Sequence, residues 1–193
     1  MERADSLTLD PHKWLGVPVD AGCALVRRGS DLRDAFSLVA PYLRQGTSAP
    51  LGSFAEYGLE QTRPFRALKT WATIAARGRS GIVAQVARAN ALARELAALV
   101  DSEPELELAA APQTSIVAFR ARAPGCSPER VEEVNRALPM TVQARGRTFV
   151  TGTVFESRET LRACILHPET RSGHLQTLVS EVVLGARSLT ASG

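Results

Sequence analysis

The 193-residue sequence predicts an α/β chain built in two parts. Short β-prone runs lie near the N-terminus, at residues 6–9 and 22–26, and a long stretch with helical spacing follows them. In the rest of the chain, strand-like runs alternate with amphipathic helical segments, which is typical of a compact α+β module. We therefore expect two domains, residues 1–84 and residues 85–193.

The first part is predicted to hold two strands joined by a loop. The run at 6–9 ends at Asp10-Pro11, and the apolar run at 22–26 predicts a second, buried strand. Two prolines and a glycine between them favour a loop over a regular element. Residues 41–53 are rich in Gly, Ser, Thr and Pro, and predict an exposed connection.

Helical spacing dominates the middle of the chain. Pro64 suits the first turn of a helix, and apolar residues recur behind it at Phe65, Leu68, Ala72 and Ala75. Gly78 and Gly81 interrupt the pattern, and a second long helix is predicted from residue 82 to about residue 101.

The second part is predicted to contain strands with helices on one face. Ser127-Pro128 predicts the start of one helix, and apolar residues from Leu175 to Ala186 predict a last amphipathic helix. The strand-like runs are 106–108, 115–119, 148–151 and 161–166.

Charge and hydropathy exclude several classes of protein. The chain has 23 basic and 20 acidic residues, a net charge of +3, and the basic residues are scattered. This balance argues against a nucleic-acid partner. No stretch approaches the ~20 apolar residues of a membrane span, and the N-terminus has no apolar signal segment. We therefore expect a cytoplasmic protein without a membrane partner.

The cysteines predict neither a disulfide framework nor a metal site. There are three, Cys23, Cys126 and Cys164, and no two have Cys-x-x-Cys spacing. We expect each to be a small buried hydrophobic residue in a reducing compartment.

The chain has two lysines, Lys13 and Lys69, among its 23 basic residues. Lys13 stands in a Pro-His-Lys-Trp loop directly after the first predicted strand. A lysine between apolar neighbours loses solvation, and its neutral amine can form a Schiff base with an aldehyde cofactor. His12 beside it can donate to a phosphate. On local physics alone, a solvated loop lysine is the simpler interpretation.

Three motifs in order resemble the group II pyridoxal-phosphate-dependent decarboxylases, which include the aromatic-amino-acid, histidine and glutamate decarboxylases. The segment ADSLTLDPHKWLGVP at 4–18 is similar to the family's cofactor-lysine segment. The segment QTRPFRALKTW at 61–71 resembles its Arg-Phe-x-Ala-Leu-Lys-x-Trp helix. The segments TGTV at 151–154 and LRACILHP at 161–168 resemble its C-terminal strand pair.

The resemblance implies a fold, a cofactor and a reaction. Residues 1–84 would be the C-terminal elements of a fold-type I large domain that binds pyridoxal 5'-phosphate. Residues 85–193 would be the small C-terminal α+β domain. The implied reaction is the loss of carbon dioxide from an L-amino acid, and the implied assembly is a homodimer.

The resemblance also assigns site residues. Lys13 corresponds to the lysine that forms the Schiff base, and His12 to the histidine that contacts the cofactor phosphate. Asp10 stands where the family often has an asparagine at the phosphate, so it is a candidate cofactor-binding residue; its carboxylate repels a phosphate, but its backbone could contribute. Arg162 corresponds to an arginine that approaches the substrate carboxylate in glutamate-type members, and a structural ion pair is an equal alternative for it.

The family's aspartate against the pyridine nitrogen and the ring stacked on the cofactor both precede the lysine segment, and only twelve residues precede Lys13 here. We therefore expect the C-terminal part of a longer enzyme, inactive when isolated. One alternative is another fold-type I enzyme, an aminotransferase class V or desulfurase-like protein with Cys126 as its reactive thiol. The other is a non-catalytic, truncated interaction or dimerisation module.

Overall fold

The computed structural model describes residues 3–38 and 54–191, so the predicted connection over residues 41–53 lies outside the described residues. The chain divides into two compact units, one formed by residues 1–79 and the other by residues 80–193. Within the described part of the chain, no helix has the length and apolar character needed to cross a membrane.

The first unit begins with a two-stranded antiparallel sheet. Strand β1 (Ser6–Leu9) pairs with strand β2 (Cys23–Val26), and Leu7 lies opposite Leu25. The prediction that residues 22–26 form a buried strand is right about the strand and wrong about burial, because Leu25 is 54% exposed. No further strand joins this sheet among the described residues, so both of its edges are open.

Helical elements complete the first unit. Helix α1 (Gly29–Phe36) follows β2, and a short 3-10 helix spans Phe54–Tyr57. Arg33 on α1 forms an ion pair with Glu56 of the 3-10 helix at 2.6 Å. The unit ends in the first turns of helix α2 (Arg66–Ser102).

Helix α2 is kinked at Gly78, which has φ 64° and ψ 172°. The sequence predicts two helices separated by Gly78 and Gly81, and the structure places the break at Gly78 alone. Glycine adopts this conformation without the steric penalty that a Cβ atom brings. Gly78 lies one residue before the end of the first unit, at Arg79.

The second unit contains a four-stranded antiparallel sheet with helices packed on it. Strands β3 (Leu106–Leu108), β4 (Ile116–Ala121), β5 (Thr151–Phe155) and β6 (Arg158–Cys164) lie in the order β3-β4-β6-β5. Helices α3 (Pro128–Ala144) and α4 (Ser172–Ala191) contact the sheet. The core includes the fully buried side chains of Leu96, Phe119, Leu138, Leu161 and Val182.

Local signals place most of these elements correctly. Helix α3 starts where predicted, and the Ser127 side chain accepts a hydrogen bond from the Arg130 amide at 3.3 Å as its N-cap. The strand predicted at 148–151 is displaced, because β5 begins at Thr151. Val150 before it is buried, and its carbonyl accepts a hydrogen bond from Gln143 of α3 at 2.7 Å.

Burial of the cysteines differs from the prediction. Cys23 and Cys126 are half-buried, Cys164 is exposed, and all three are free thiols. Cys164 ends strand β6, where its neighbour Ala163 points into the core. Because side chains alternate along a strand, Cys164 faces away from the core.

Candidate active site

The loop between β1 and β2 is held in shape by its own backbone. The amide of Lys13 donates to the carbonyl of Asp10 at 2.9 Å, and that of Gly16 donates to Lys13 at 3.0 Å. The amide of Val17 donates to the Pro11 carbonyl at 3.1 Å, and the Val17 side chain is buried. Gly16 has φ 66°, a conformation that glycine adopts readily. The Lys13 segment is therefore a defined series of turns.

The side chain of Lys13 lies in solvent and pairs with Asp10. Lys13 Nζ is 2.5 Å from Asp10 Oδ2, and the two side chains are 58% and 43% exposed. The hydrogen bond from Lys13 lowers the pKa of the Asp10 carboxyl below its ordinary value. The amine is therefore accessible and forms an ion pair with the carboxylate beside it.

The ring of His12 is fixed by the backbone of Ala21 at the far end of the loop. Nδ1 of His12 lies 2.8 Å from the Ala21 carbonyl oxygen and 3.2 Å from the Ala21 amide nitrogen. The shorter contact fits an Nδ1–H that donates to the Ala21 carbonyl, so Nε2 carries a proton for an acceptor such as a phosphate oxygen when the ring is an imidazolium. Lys13 and His12 thus place an amine and an imidazole on one short loop.

Asp20 attaches the end of this loop to the start of α2. Its carboxylate lies 2.8 Å from Arg66 Nη2 and 3.5 Å from Lys69 Nζ. The hydrogen bond from Arg66 is the main cause that lowers the pKa of Asp20 to about 2. Lys69 thus forms an ion pair between two elements, and the 61–71 motif supports the Lys13 loop.

Sequence reasoning missed Asp20, because nothing in its local pattern distinguishes it from other loop aspartates. Its partner Arg66 is 46 residues away. The signal that could have found it is the co-occurrence of the 4–18 and 61–71 motifs, which suggests that the two segments meet.

Arg162 lies in the second unit, on strand β6. Its neighbours Leu161 and Ala163 are in the core, so the Arg162 side chain is on the opposite face of the sheet. It is half-buried, and its guanidinium has no hydrogen-bond or ion-pair partner among the described residues. The structure thus brings Asp10, His12 and Lys13 together, and places Arg162 in the other unit.

Cys126 is held in a turn. Its amide donates to the Ala123 carbonyl at 3.2 Å, and its side chain packs against the core of the second unit. A sulfur-transfer thiol has to move between reaction partners. The position of Cys126 gives no support to the desulfurase-like alternative.

Comparison with known proteins identifies the family. Residues 1–122 match the pyridoxal-dependent decarboxylase conserved domain. The chain belongs to the pyridoxal-dependent decarboxylase family. This confirms the resemblance found in the three sequence motifs, and the cofactor of the family is pyridoxal phosphate.

Individual relatives in the decarboxylase family agree with this assignment. The aromatic-L-amino-acid decarboxylase of Bacillus atrophaeus is 29% identical over 195 residues, covering 100% of this chain and 41% of that protein. The tryptophan decarboxylase of Catharanthus roseus, solved in complex with L-tryptophan, is 27% identical with a TM-score of 0.81, covering 97% of this chain and 40% of that one. The chain thus spans about two fifths of the length of these relatives.

A third comparison concerns the fold alone. The structure of Oryza sativa TDC with PLP and tryptamine has a TM-score of 0.87 at 24% identity, covering 98% of this chain and 40% of that chain. The predicted fold class, a C-terminal portion of the large domain followed by a small α+β domain, is confirmed.

Two of the three predicted site residues in the Lys13 loop fit pyridoxal phosphate. Lys13 offers an accessible amine for the aldehyde, and His12 Nε2 has no partner among the described residues. Asp10 does not fit a phosphate contact, because a carboxylate repels a phosphate and this carboxylate is bonded to Lys13.

Proposed function

We propose that the protein takes part in the pyridoxal-phosphate-dependent decarboxylation of an L-amino acid, and that Lys13 is the lysine that holds the cofactor. The observation that carries this proposal is the accessible Lys13 amine beside His12, in a backbone-fixed loop of a chain from this family. The other lysine, Lys69, lies on α2 and pairs with Asp20.

Lys13, His12 and the Asp20–Arg66 pair have different roles in this proposal. Bound pyridoxal phosphate supplies the electron sink that accepts the electron pair left when carbon dioxide departs. Lys13 would hold the cofactor through its Nζ, which as a neutral amine can condense with the aldehyde with loss of water. His12, whose Nδ1 lies 2.8 Å from the Ala21 carbonyl oxygen, would donate to the phosphate from Nε2 as an imidazolium. Asp20 and Arg66 keep the loop on the first turn of α2.

We extend the proposal to Arg162 as the contact for a carboxylate of the substrate. Its guanidinium is half-buried and unpartnered among the described residues, which favours this role over a structural ion pair. A planar guanidinium binds a carboxylate through two parallel hydrogen bonds. The measurement that tests it is KM against kcat for Arg162→Gln in an active enzyme: a rise in KM supports the role, and unchanged constants contradict it.

The same proposal covers the domains, the assembly and the compartment. Residues 1–84 would belong to the cofactor-binding domain and residues 85–193 to the small domain. A homodimer is supported by Phe65, Leu68 and Trp71, apolar side chains near the start of α2 that are 73%, 50% and 66% exposed. The three free cysteines fit the reducing cytoplasm.

We further propose that the 193-residue polypeptide by itself holds the cofactor weakly and does not decarboxylate measurably. The Lys13 side chain is 58% exposed, and in its loop only Lys13 and His12, among the described residues, offer polar groups that suit the cofactor. Affinity that depends on several contacts falls steeply when only a few are made.

Borohydride reduction tests the assignment of Lys13. The chain is mixed with excess pyridoxal phosphate, reduced and digested, and the pyridoxyl group is located by mass spectrometry. We expect it on Lys13, lost in Lys13→Ala and retained in the matched variant Lys69→Ala. Predominant labelling of Lys69, or stoichiometric labelling of Lys13→Ala elsewhere, would show that the site is wrongly assigned.

A non-catalytic dimerisation module is the second candidate, favoured by the same exposed apolar side chains of α2. It predicts a stable dimer in sedimentation experiments together with no preference of pyridoxal phosphate for Lys13. The decarboxylase proposal predicts that preference whatever the oligomeric state.

A further inference from the structure

The position three residues before the cofactor lysine has an unexpected partner in this chain. Asp10 Oδ2 lies 2.5 Å from Lys13 Nζ, and the Lys13 amide donates to the Asp10 carbonyl at 2.9 Å. The two residues therefore form a single turn, joined through backbone and side chain. Pro11, whose ring restricts φ, stands between them.

The negative charge of Asp10 attracts an ammonium and repels a phosphate. Hydrogen bonding from Lys13 holds the pKa of Asp10 below its ordinary value, and the charge of His12 acts in the same direction more weakly. The carboxylate is therefore anionic near neutral pH. An anion stabilises an ammonium at this distance and repels the phosphate of the cofactor.

We propose that Asp10 is a positioning residue for Lys13. The Asp10 carboxylate holds the free amine of Lys13 as an ammonium in the loop, and it takes no part in phosphate binding. The inference rests on the proposed function, in which Lys13 is the cofactor lysine. When Lys13 is not bonded to the cofactor, the ion pair with Asp10 fixes the position of its amine within a single turn.

The chemical consequence is a slower reaction of Lys13 with carbonyl compounds. The ammonium must first give a proton to the solvent buffer, because the nitrogen lone pair forms the new bond to carbon. Asp10 opposes this loss of the proton. The two side chains are 58% and 43% exposed, so water screens the pair and the effect is modest.

Reductive methylation measures this effect without the cofactor. Formaldehyde supplies the carbon, the amine and formaldehyde lose water, and cyanoborohydride supplies the hydride. Methylation of Lys13 and Lys69 is quantified in one digest, against a lysine peptide added as a standard. We expect Asp10→Asn to raise the rate at Lys13 about two- to fivefold at neutral pH and to leave Lys69 unchanged.

Asp31→Asn is the matched control. It removes the same charge from an aspartate of the same unit that pairs with Arg28 at 3.2 Å, so it should leave the labelling of both Lys13 and Lys69 unchanged. Asp10→Glu, which retains the charge, should return the Lys13 rate toward that of the natural chain.

The salt dependence of the methylation rate distinguishes an electrostatic effect of Asp10 on Lys13 from a change in loop flexibility. In the natural chain, 1 M NaCl should raise the Lys13 rate relative to the standard, whereas Asp10→Asn should show no such change. The proposal is overturned if Asp10→Asn leaves the Lys13 rate unchanged, if Lys69 rises equally, or if Asp10→Asn keeps the salt dependence. Formaldehyde labelling and pyridoxyl mapping are independent, so either can fail without the other.

Discussion

Asp20 accepts a hydrogen bond from Nε of Arg66 at 2.9 Å, although 46 residues separate the two in the sequence. Nη2 of the same guanidinium lies 2.8 Å from the same carboxylate oxygen. Arg66 begins helix α2, and Asp20 ends the loop that carries Lys13. The contact therefore fixes the loop that carries Lys13 to the first turn of α2.

Loss of the Asp20 carboxylate should loosen the Lys13 loop. In Asp20→Asn the charge-assisted bond to Arg66 is weakened, so the neighbouring Ala21 amide, which bonds His12 at 3.2 Å, should open more often. We expect its hydrogen exchange to rise about fivefold, the change produced by losing one hydrogen bond of typical strength. Amide exchange followed by NMR measures it.

Asp31→Asn is the control for this exchange experiment. It breaks the local Arg28–Asp31 pair at 3.2 Å in the same unit and should leave the Ala21 amide unchanged. Equal exchange of Ala21 in Asp20→Asn and the natural chain would mean that Asp20 does not hold the loop.

Asp20 should titrate well below other aspartates. Hydrogen bonding from Arg66 lowers its pKa from 3.8 to about 2. Because the folded pKa is depressed, the stabilisation from this carboxylate is fully present above pH 3.8 and is lost as the pH falls through about 2. Carboxyl carbon NMR should show a midpoint near 2 that moves upward in Arg66→Gln. A midpoint of 3.8 in the natural chain would contradict the pairing.

Gly78→Ala should destabilise the chain through its backbone alone. An added Cβ meets no atom within 4 Å, so the cost comes from φ 64° and ψ 172°. A non-glycine residue in such a region costs about 1 to 3 kcal/mol. Denaturant unfolding should report this decrease in the free energy of unfolding.

Gly81→Ala is the matched control for Gly78, since Gly81 lies in the same helix without a break. There the substitution should increase the free energy of unfolding by about 0.5 to 1 kcal/mol. Equal effects at the two glycines would show that the kink at Gly78 is not required.

Asn135 should be critical to the second unit. Its side chain is 1% exposed, accepts from the Ala121 amide at 2.8 Å and donates to the Ala121 carbonyl at 2.9 Å. Asn135→Ala leaves both buried backbone groups unsatisfied, which should cost about 2 to 4 kcal/mol. Thermal unfolding measures the loss. Thr177→Ala, at an exposed hydroxyl of α4, should change stability by less than about 0.5 kcal/mol.

Signals that act over a few residues were predictable from sequence. The N-cap at Ser127, the strand at 6–9 and a break at Gly78 each depend on local backbone preferences. Predictions that depended on the surroundings were less accurate. The strand predicted at 22–26 is only partly buried and Cys164 faces away from the core, because burial depends on which layers cover a residue.

The sequence by itself determined the family, the cofactor and the order of the motifs, because these are properties of residue type and spacing along one chain. It also brought Asp10, His12 and Lys13 into one loop, and Lys13 as the cofactor lysine stays a prediction. Only the tertiary structure decided that Asp20 holds this loop to Arg66 and that the carboxylate of Asp10 contacts Lys13. Such contacts depend on distances of a few ångströms in space, which sequence spacing does not specify.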